Sequence, residues 1–213
     1  GGAGEAGNTD GQGQGGDGLQ ILIAESPTVP APTRTVGADG GYFAGGGGGE
    51  YSPGTGTPGY PGGLGGGGSA AARTVDGIRG KFATGGGAGA GKNNPSTHPT
   101  SLLGNGGSGI VVVRYKIGSV LNHKATGGVI SFYNDKTIHT FTSSGTFVCP
   151  GSFSETCEYV VIGGGGSGGS GSANTNNGGS GGGAGTYRTA SVSVTSGTYN
   201  ITIGAGGNKN NGS

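Results

Sequence analysis

The chain has no methionine, only two cysteines and little charge: 10% of its 213 residues are charged and 29% apolar, against averages of about 25% and about 45–50%. So few apolar residues exclude a large single core, and so few charges exclude an ion-paired surface. Eleven basic side chains against ten acidic ones leave a net charge of +1, which excludes the cationic footprint that nucleic acid or anionic lipid requires. The longest apolar runs, such as Ile110-Val111-Val112-Val113, fall far short of the roughly 20 residues of a membrane helix. Neither nucleic acid nor membrane insertion is expected. A chain without methionine that opens Gly1-Gly2-Ala3-Gly4 reads as a cut piece, a processed product or one unit of something longer.

What is abundant is glycine, 60 residues of 213. Glycine loses the most entropy on ordering, so tracts such as 37–68, 85–109 and 163–185 are either flexible linker or are held by one another. In the second case they lie side by side as polyproline-II-like strands with about three residues per turn, close enough for main-chain hydrogen bonds because no Cβ intervenes.

Between the tracts, period-2 alternation and β-branched runs predict strands at 19–24, 110–117, 129–133, 137–142, 146–149, 157–162, 186–194 and 198–203, and no segment has helical periodicity. Ile110 to Val113 and Tyr159 to Ile162 are apolar on both faces and belong in the middle of a sheet. Ser144-Gly145 and Ser196-Gly197 are turn dipeptides expected to close hairpins. The fold class is therefore all-β: β-sandwich strands with long glycine-rich tracts packed as polyglycine II and no significant helix.

Both ends of the chain, 1–18 and 204–213, are glycine tract. Joined end to start they make one continuous tract, so the chain boundary is expected to cut through a domain. Either a longer polypeptide repeats with this unit, or successive copies complete each other head to tail.

Few motifs carry chemistry. Gly86-Gly87-Ala88-Gly89-Ala90-Gly91-Lys92-Asn93 fits most of a phosphate loop, but Asn93 stands where a hydroxyl must meet magnesium and no helix follows. His98, His123 and His139 lack partners at ligand spacing, and Asp17 among its glycines is out of register for a calcium repeat. No cofactor, metal or catalytic residue is assigned, and no enzymatic activity is expected. Cys149 and Cys157 bracket a seven-residue segment whose closure would place two strand ends side by side; they are either a disulfide or two small buried thiols. Tyr42, Phe43, Tyr51 and Tyr60 stand on glycine tracts, either as flat contact surfaces for a partner or as small local cores. Asn200-Ile201-Thr202 and Asn211-Gly212-Ser213 are glycosylation sequons. The Ser/Thr/Pro stretches 26–35 and 52–60 suit proline-stiffened loops or O-glycan carriers.

A family resemblance rests on longer stretches. Residues 125–142 (ATGGVISFYNDKTIHTFT), Gly145-Thr146-Phe147, 158–166 (EYVVIGGGG), 185–189 (GTYRT), 197–207 (GTYNITIGAGG) and 104–115 (GNGGSGIVVVRY) together resemble the glycine-rich domain of bacteriophage tail fibres and related virion structural proteins. Their order differs from the usual domain: 1–118 resembles its second half and 129–213 the first half of the next, with 119–128 as linker. The resemblance implies a β-sandwich with glycine excursions in an extracellular, virion tail fibre that reaches a host surface, with no enzymatic role. The main partner is expected to be other copies of the chain, as a trimeric fibre or a head-to-tail filament, with a host-surface glycan or protein as a second partner. The other reading is a non-viral microbial surface filament or matrix fibril, assembled by strand exchange and glycosylated.

Overall fold

The computed structural model describes residues 1–7, 13–23, 37–50, 59–71, 77–92, 103–117, 124–171 and 178–209. Among these residues nine strands form, in chain order β1 (Leu19–Gln20), β2 (Tyr42–Phe43), β3 (Gly91–Lys92), β4 (Ile110–Lys116), β5 (Val129–Tyr133), β6 (Lys136–Phe141), β7 (Gly145–Ile162), β8 (Ser170–Gly171) and β9 (Tyr187–Ile201). No helix is present among the described residues. β1 pairs with β2 and β3 with β8, while the remaining five make one antiparallel sheet in the order β5-β6-β4-β7-β9.

The two strands predicted to be apolar on both faces occupy the interior of that sheet. β4 is its middle strand and alternates between two cores. Val111, Val113 and Tyr115 join Phe141, Phe147, Cys149, Phe153 and Cys157 in a first cluster. Ile110 and Val112 join Ile138, Val160 and Ile162 in a second, which Ile23, Phe43 and Ala44 cover from the glycine-rich side. Burying each such side chain contributes about 1.5–3 kcal/mol, and the two clusters clamp the sheet from both faces. β5 and β6 form a hairpin whose turn is Asn134-Asp135, both at positive φ (47° and 57°). Asparagine and aspartate tolerate that region, and a turn of this hand matches the strand twist.

Two expected hairpins do not close at the predicted dipeptides. Ser196-Gly197 lies within β9, which runs unbroken from Tyr187 to Ile201, and Ser144-Gly145 leads from β6 to β7, which β4 separates in the sheet. The two short strands expected at 146–149 and 157–162 are likewise one strand, β7. Its partner register passes from Cys149↔Gly197 to Ser154↔Thr195, so five steps on β7 face two on β9. Such an insertion bends a strand, and here it drops Phe153 edge-on against both Tyr115 (ring centroids 5.1 Å) and Phe147 (6.1 Å).

The halves assigned from the sequence meet in this sheet: β4, from 1–118, lies between β6 and β7, both from 129–213. At the described end of the expected linker, Ala125 is buried and Thr126 exchanges both main-chain hydrogen bonds with Val148 (2.9 Å each).

At one end of the sheet the strands run on into glycine tracts, and there the lattice forms. Along 45–50 the donors rotate among three neighbours with a period of three. Gly45 and Gly48 donate to Gly65 and Gly68 (3.1 and 2.9 Å), Gly46 and Gly49 to Gly16 and Gly13 (2.8 and 2.7 Å), and Gly47 and Glu50 to Gly182 and Gly179 (2.8 and 2.9 Å). The tract 85–91 does the same: Gly87 and Ala90 donate to Gly45 and Gly48, Ala88 and Gly91 to Gly166 and Gly169, and Gly89 to Ile78. A helix of three residues per turn aims successive N–H groups about 120° apart, so each tract bonds to several others instead of two.

The result is a hexagonal bundle of polyglycine II type. Tract 45–50 is ringed by 1–4, 13–18, 59–64, 65–71, 85–91 and 178–185, and tract 85–91 by 45–50, 65–71, 77–81, 104–109, 163–169 and 178–185. Tract 204–209 lies beside 104–109 and 163–169. Three layers follow: 59–64, 65–71 and 77–81 outside, 13–18, 45–50, 85–91 and 104–109 in the middle, and 1–4, 178–185, 163–169 and 204–209 on the other side.

The lattice requires glycine because backbones touch. A Cβ on Gly47 would come to 1.8 Å from the Ala88 carbonyl oxygen, and one on Gly89 to 1.9 Å from that of Ser69, whereas one on Gly183 would meet nothing within 4 Å. Gly47→Ala is therefore expected to destabilise the protein by about 2 kcal/mol or more through overpacking. Gly183→Ala, at an unstrained position, is expected to be neutral or stabilising by up to about 1 kcal/mol, because it stiffens the unfolded chain. Thermal or urea unfolding of the two variants checks both.

Candidate functional site

The best-defined concavity is a cleft of about 400 Å³ where Ile21, Leu22 and Ile23 cross the second face of the sheet above Arg114, Glu158 and Thr189 to Ser191. Arg114 and Glu158 are register partners on β4 and β7, which brings their side chains together on one face. Arg114 Nε donates to Glu158 Oε2 at 2.5 Å, Lys136 Nζ lies 3.6 Å from the same oxygen, and Arg114 Nη1 donates to the Ile23 carbonyl at 3.1 Å and to the Leu22 carbonyl at 3.4 Å. The hydrogen bond from Arg114, together with the charges of Arg114 and Lys136, holds the Glu158 carboxyl below the usual glutamate range against the opposing effect of burial. The guanidinium thus clips the segment 21–23 to the sheet, and the cleft's charges are spent on each other. Chemically the arrangement is a clamp; nothing in it pairs an acid with a base across open space.

A second polar arrangement is closed inside the first cluster. His139 is fully buried on β6, with Nδ1 2.7 Å from the Gly127 carbonyl oxygen and Nε2 3.1 Å from the Tyr115 hydroxyl. A carbonyl can only accept, so Nδ1 carries the proton and Nε2 accepts from Tyr115. The Tyr115 oxygen accepts from the Ala125 N–H at 3.1 Å. Burial raises the phenol of Tyr115 above its ordinary value. This chain of bonds ties the segment 125–127 to the sheet, and it gives His139 on β6 a structural role.

The residues singled out in the sequence are dispersed. Phe43 is 1% exposed and part of the second cluster, Tyr42 beside it on β2 is half-buried, and the Tyr60 ring is also half-buried, with a Cβ on Gly13 falling 2.3 Å from its edge. Phe43 and Tyr60 are therefore local cores on the tracts; Tyr51 lies outside the described residues. Among the described aromatics Phe82 stands the most clear, 66% exposed, at the end of the outer tract that carries Ile78 at 58%. A signal for that tract exists in the sequence: Arg79 and Lys81 place two charges in a chain where charge is scarce. The phosphate-loop match at 86–91 is an inner tract of the bundle, its N–H groups from Gly87 to Gly91 already bonded to other tracts; Asn93 lies outside the described residues. Asn200 is exposed on β9 opposite Thr146, and Asn211 lies outside the described residues. Among the described residues no group of His, Cys, Asp and Glu is arranged to hold a metal ion, and no helix is long and apolar enough to cross a membrane.

Cys149 and Cys157 are free thiols, both buried in the first cluster, in place of a bridge. The segment expected to loop between them continues as β7 and pairs with β9 from Ser154 onward, so the two cysteines belong to one strand instead of two adjoining ends. Burial raises both thiols, and Cys157 is pushed up to about 12 by burial first and then by its neighbours Cys149 and Glu155.

Against known proteins, a family model described as a glycine-rich domain matches residues 142–213. That stretch holds β7, β9 and the tracts 163–185 and 204–209. No curated protein and no solved structure matches the chain.

Two outcomes follow. Both cysteines are expected to resist alkylation in the folded protein at neutral pH and to react fully once denatured without reductant, because a buried protonated thiol is a poor nucleophile; mass spectrometry reads this, and a bridge would leave both unlabelled. Because the folded carboxyl of Glu158 is depressed, the stability it supplies is complete above the unfolded glutamate value of about 4.3 and disappears as pH falls through the folded value. Glu158→Gln is thus expected to be less stable than the native protein at neutral pH and equal to it in strong acid, as urea midpoints at the two pH values will report.

Proposed function

We propose that the chain is a structural subunit or repeat of an extracellular fibre whose principal partner is other copies of itself. The observation that carries this reading is the hexagonal glycine bundle. It devotes most of the tract backbone to main-chain bonds between tracts, an arrangement that makes a stiff body and leaves little side-chain chemistry. The glycine-rich domain match over 142–213 accords with a modular structural chain. The resemblance of the strand and tract sequences to phage fibre domains narrows the proposal to a virion tail fibre, whose second partner is a host-surface glycan or protein. The exposed ridge of Ile78, Arg79, Lys81 and Phe82 is a contact surface suited to such a partner, since an aromatic flanked by cations fits the rings and acidic groups of a surface glycan.

A non-viral surface filament is the second reading, and one observation favours it: the Asn200 sequon is exposed on an outer strand, where a glycan meets no obstruction. The native material decides. Negative-stain microscopy is expected to show elongated fibres. Its denatured mass should exceed 20.0 kDa several-fold if the unit repeats within a long fibre chain, and stay near that value, with any glycan added, if separate subunits polymerise. Globular monomers at high concentration would overturn both readings.

A further inference from the structure

The proposed assembly needs a surface, and we propose that it is the outer edge of β9, to which a second copy of this chain adds its own β9, antiparallel, across a two-fold axis at Ser193. This inference rests on the assembly reading above and specifies where it acts.

β9 is the last strand of the five-stranded sheet. Its inner edge is laddered to β7 over most of its length, from Tyr187↔Ile162 to Ile201↔Gly145. Among the described residues its outer edge has no strand beside it, and all but three of its own residues are exposed. Proteins blunt such edges with lysine, proline, a very short strand or a covering segment, because a row of unpaired N–H and C=O groups templates another strand. In β9 there is no proline, the single charge is Arg188, and the strand has 15 residues. Ahead of the irregularity at Ser196-Gly197, the edge from Tyr187 to Thr195 is therefore regular and carries no proline.

The geometry selects the occupant. Each neighbouring pair in the sheet is antiparallel, so the next strand beyond β9 must run opposite to it. The outer strand at the other end, β5, is four antiparallel steps away and runs the same way as β9, so a copy displaced along the sheet would present β5 parallel. A two-fold axis perpendicular to the sheet instead presents β9 itself in the required direction with the same face up.

The sequence around the axis is self-complementary. In Ser191-Val192-Ser193-Val194-Thr195, Ser193 faces its own mate and Val192 faces Val194 of the partner subunit. Val192 is the register partner of Cys157, 46% exposed, and Val194 packs against the first cluster. The two valine pairs thus extend that cluster across the axis, the cross-strand β-branched contact that stabilises sheets. Ser191 and Thr195 pair on the opposite face, and Arg188, five residues from the axis, keeps the two copies' cations apart.

The test uses the full chain in sedimentation-velocity dilution series. Ser193→Lys and Ser193→Glu each place like charges directly opposite and are expected to weaken association at least about tenfold, while an equimolar mixture of the two restores it. That rescue separates an interface effect from misfolding, since two misfolded variants would not recover by mixing. Association of either variant at the native strength, or a mixture no tighter than its components, overturns the β9 interface while leaving self-assembly in place. Loss of association in Ser131→Lys, on β5, with none in the Ser193 variants would move the interface to the other edge. A native chain that stays monomeric throughout overturns the interface and the assembly reading together.

Discussion

The structure depends on a mismatch between what glycine lacks and what its backbone keeps. Without a Cβ a tract cannot bury apolar area, yet it retains one N–H and one C=O per residue, and these must be paired if the tract is packed. A threefold helix solves this by spreading the donors around the axis. Each donor position on 45–50 then meets a different tract, and every third residue returns to the same one. A single hydrogen bond of this kind contributes only about 0.5–1.5 kcal/mol net, but the close approach that permits one permits them all. The arrangement is cooperative and intolerant of side chains wherever a neighbouring carbonyl lies against the Cα, as at Gly47 and Gly89.

The bundle and the sheet support each other. Glycine tracts alone pay a large entropic cost to order, and the sheet offsets it by fixing their ends: 104–109 enters β4, 163–169 leaves β7, and 178–185 enters β9. In return the tract side supplies Phe43, Ala44 and Ile23, which close the second face. Without them Ile110, Val112, Val160 and Ile162 would face water. Arg114 fastens the same joint by reaching from the middle strand to the carbonyls of Leu22 and Ile23. Among the described residues the sheet ends at β5 on one side and at the longer β9 on the other, and β9 is where the proposed assembly finds backbone to pair with.

Much of the sheet was legible in the sequence. Val129 to Tyr133 is rich in β-branched and aromatic residues and is a strand over those residues; Ile110 to Val113 is apolar on both faces and lies in the middle. What misled was local turn chemistry. Ser196-Gly197 and the Pro150-Gly151-Ser152 segment are turn sequences by any local rule, but they fall where the β7–β9 register shifts and form an irregularity within two long strands, because the ladders on either side carry both strands through. The same misreading made a loop between Cys149 and Cys157. The aromatics were ambiguous for a related reason: a ring on a tract stands clear only if no second tract lies over it, and neighbours cannot be read from a sequence of glycines.

The sequence by itself determined the fold class, the lack of helix among the described residues, the alternation that gives the sheet its two faces and the need for close-packed glycine. Those are consequences of period, composition and the missing Cβ, which act locally and identically wherever they occur. The tertiary structure alone decided which tract neighbours which, that 45–50 and 85–91 are the inner ones, that β4 enters between β6 and β7, and that β9 is left at the edge. One glycine tract is chemically the same as the next, so their order in space is set by where the strands hold their ends.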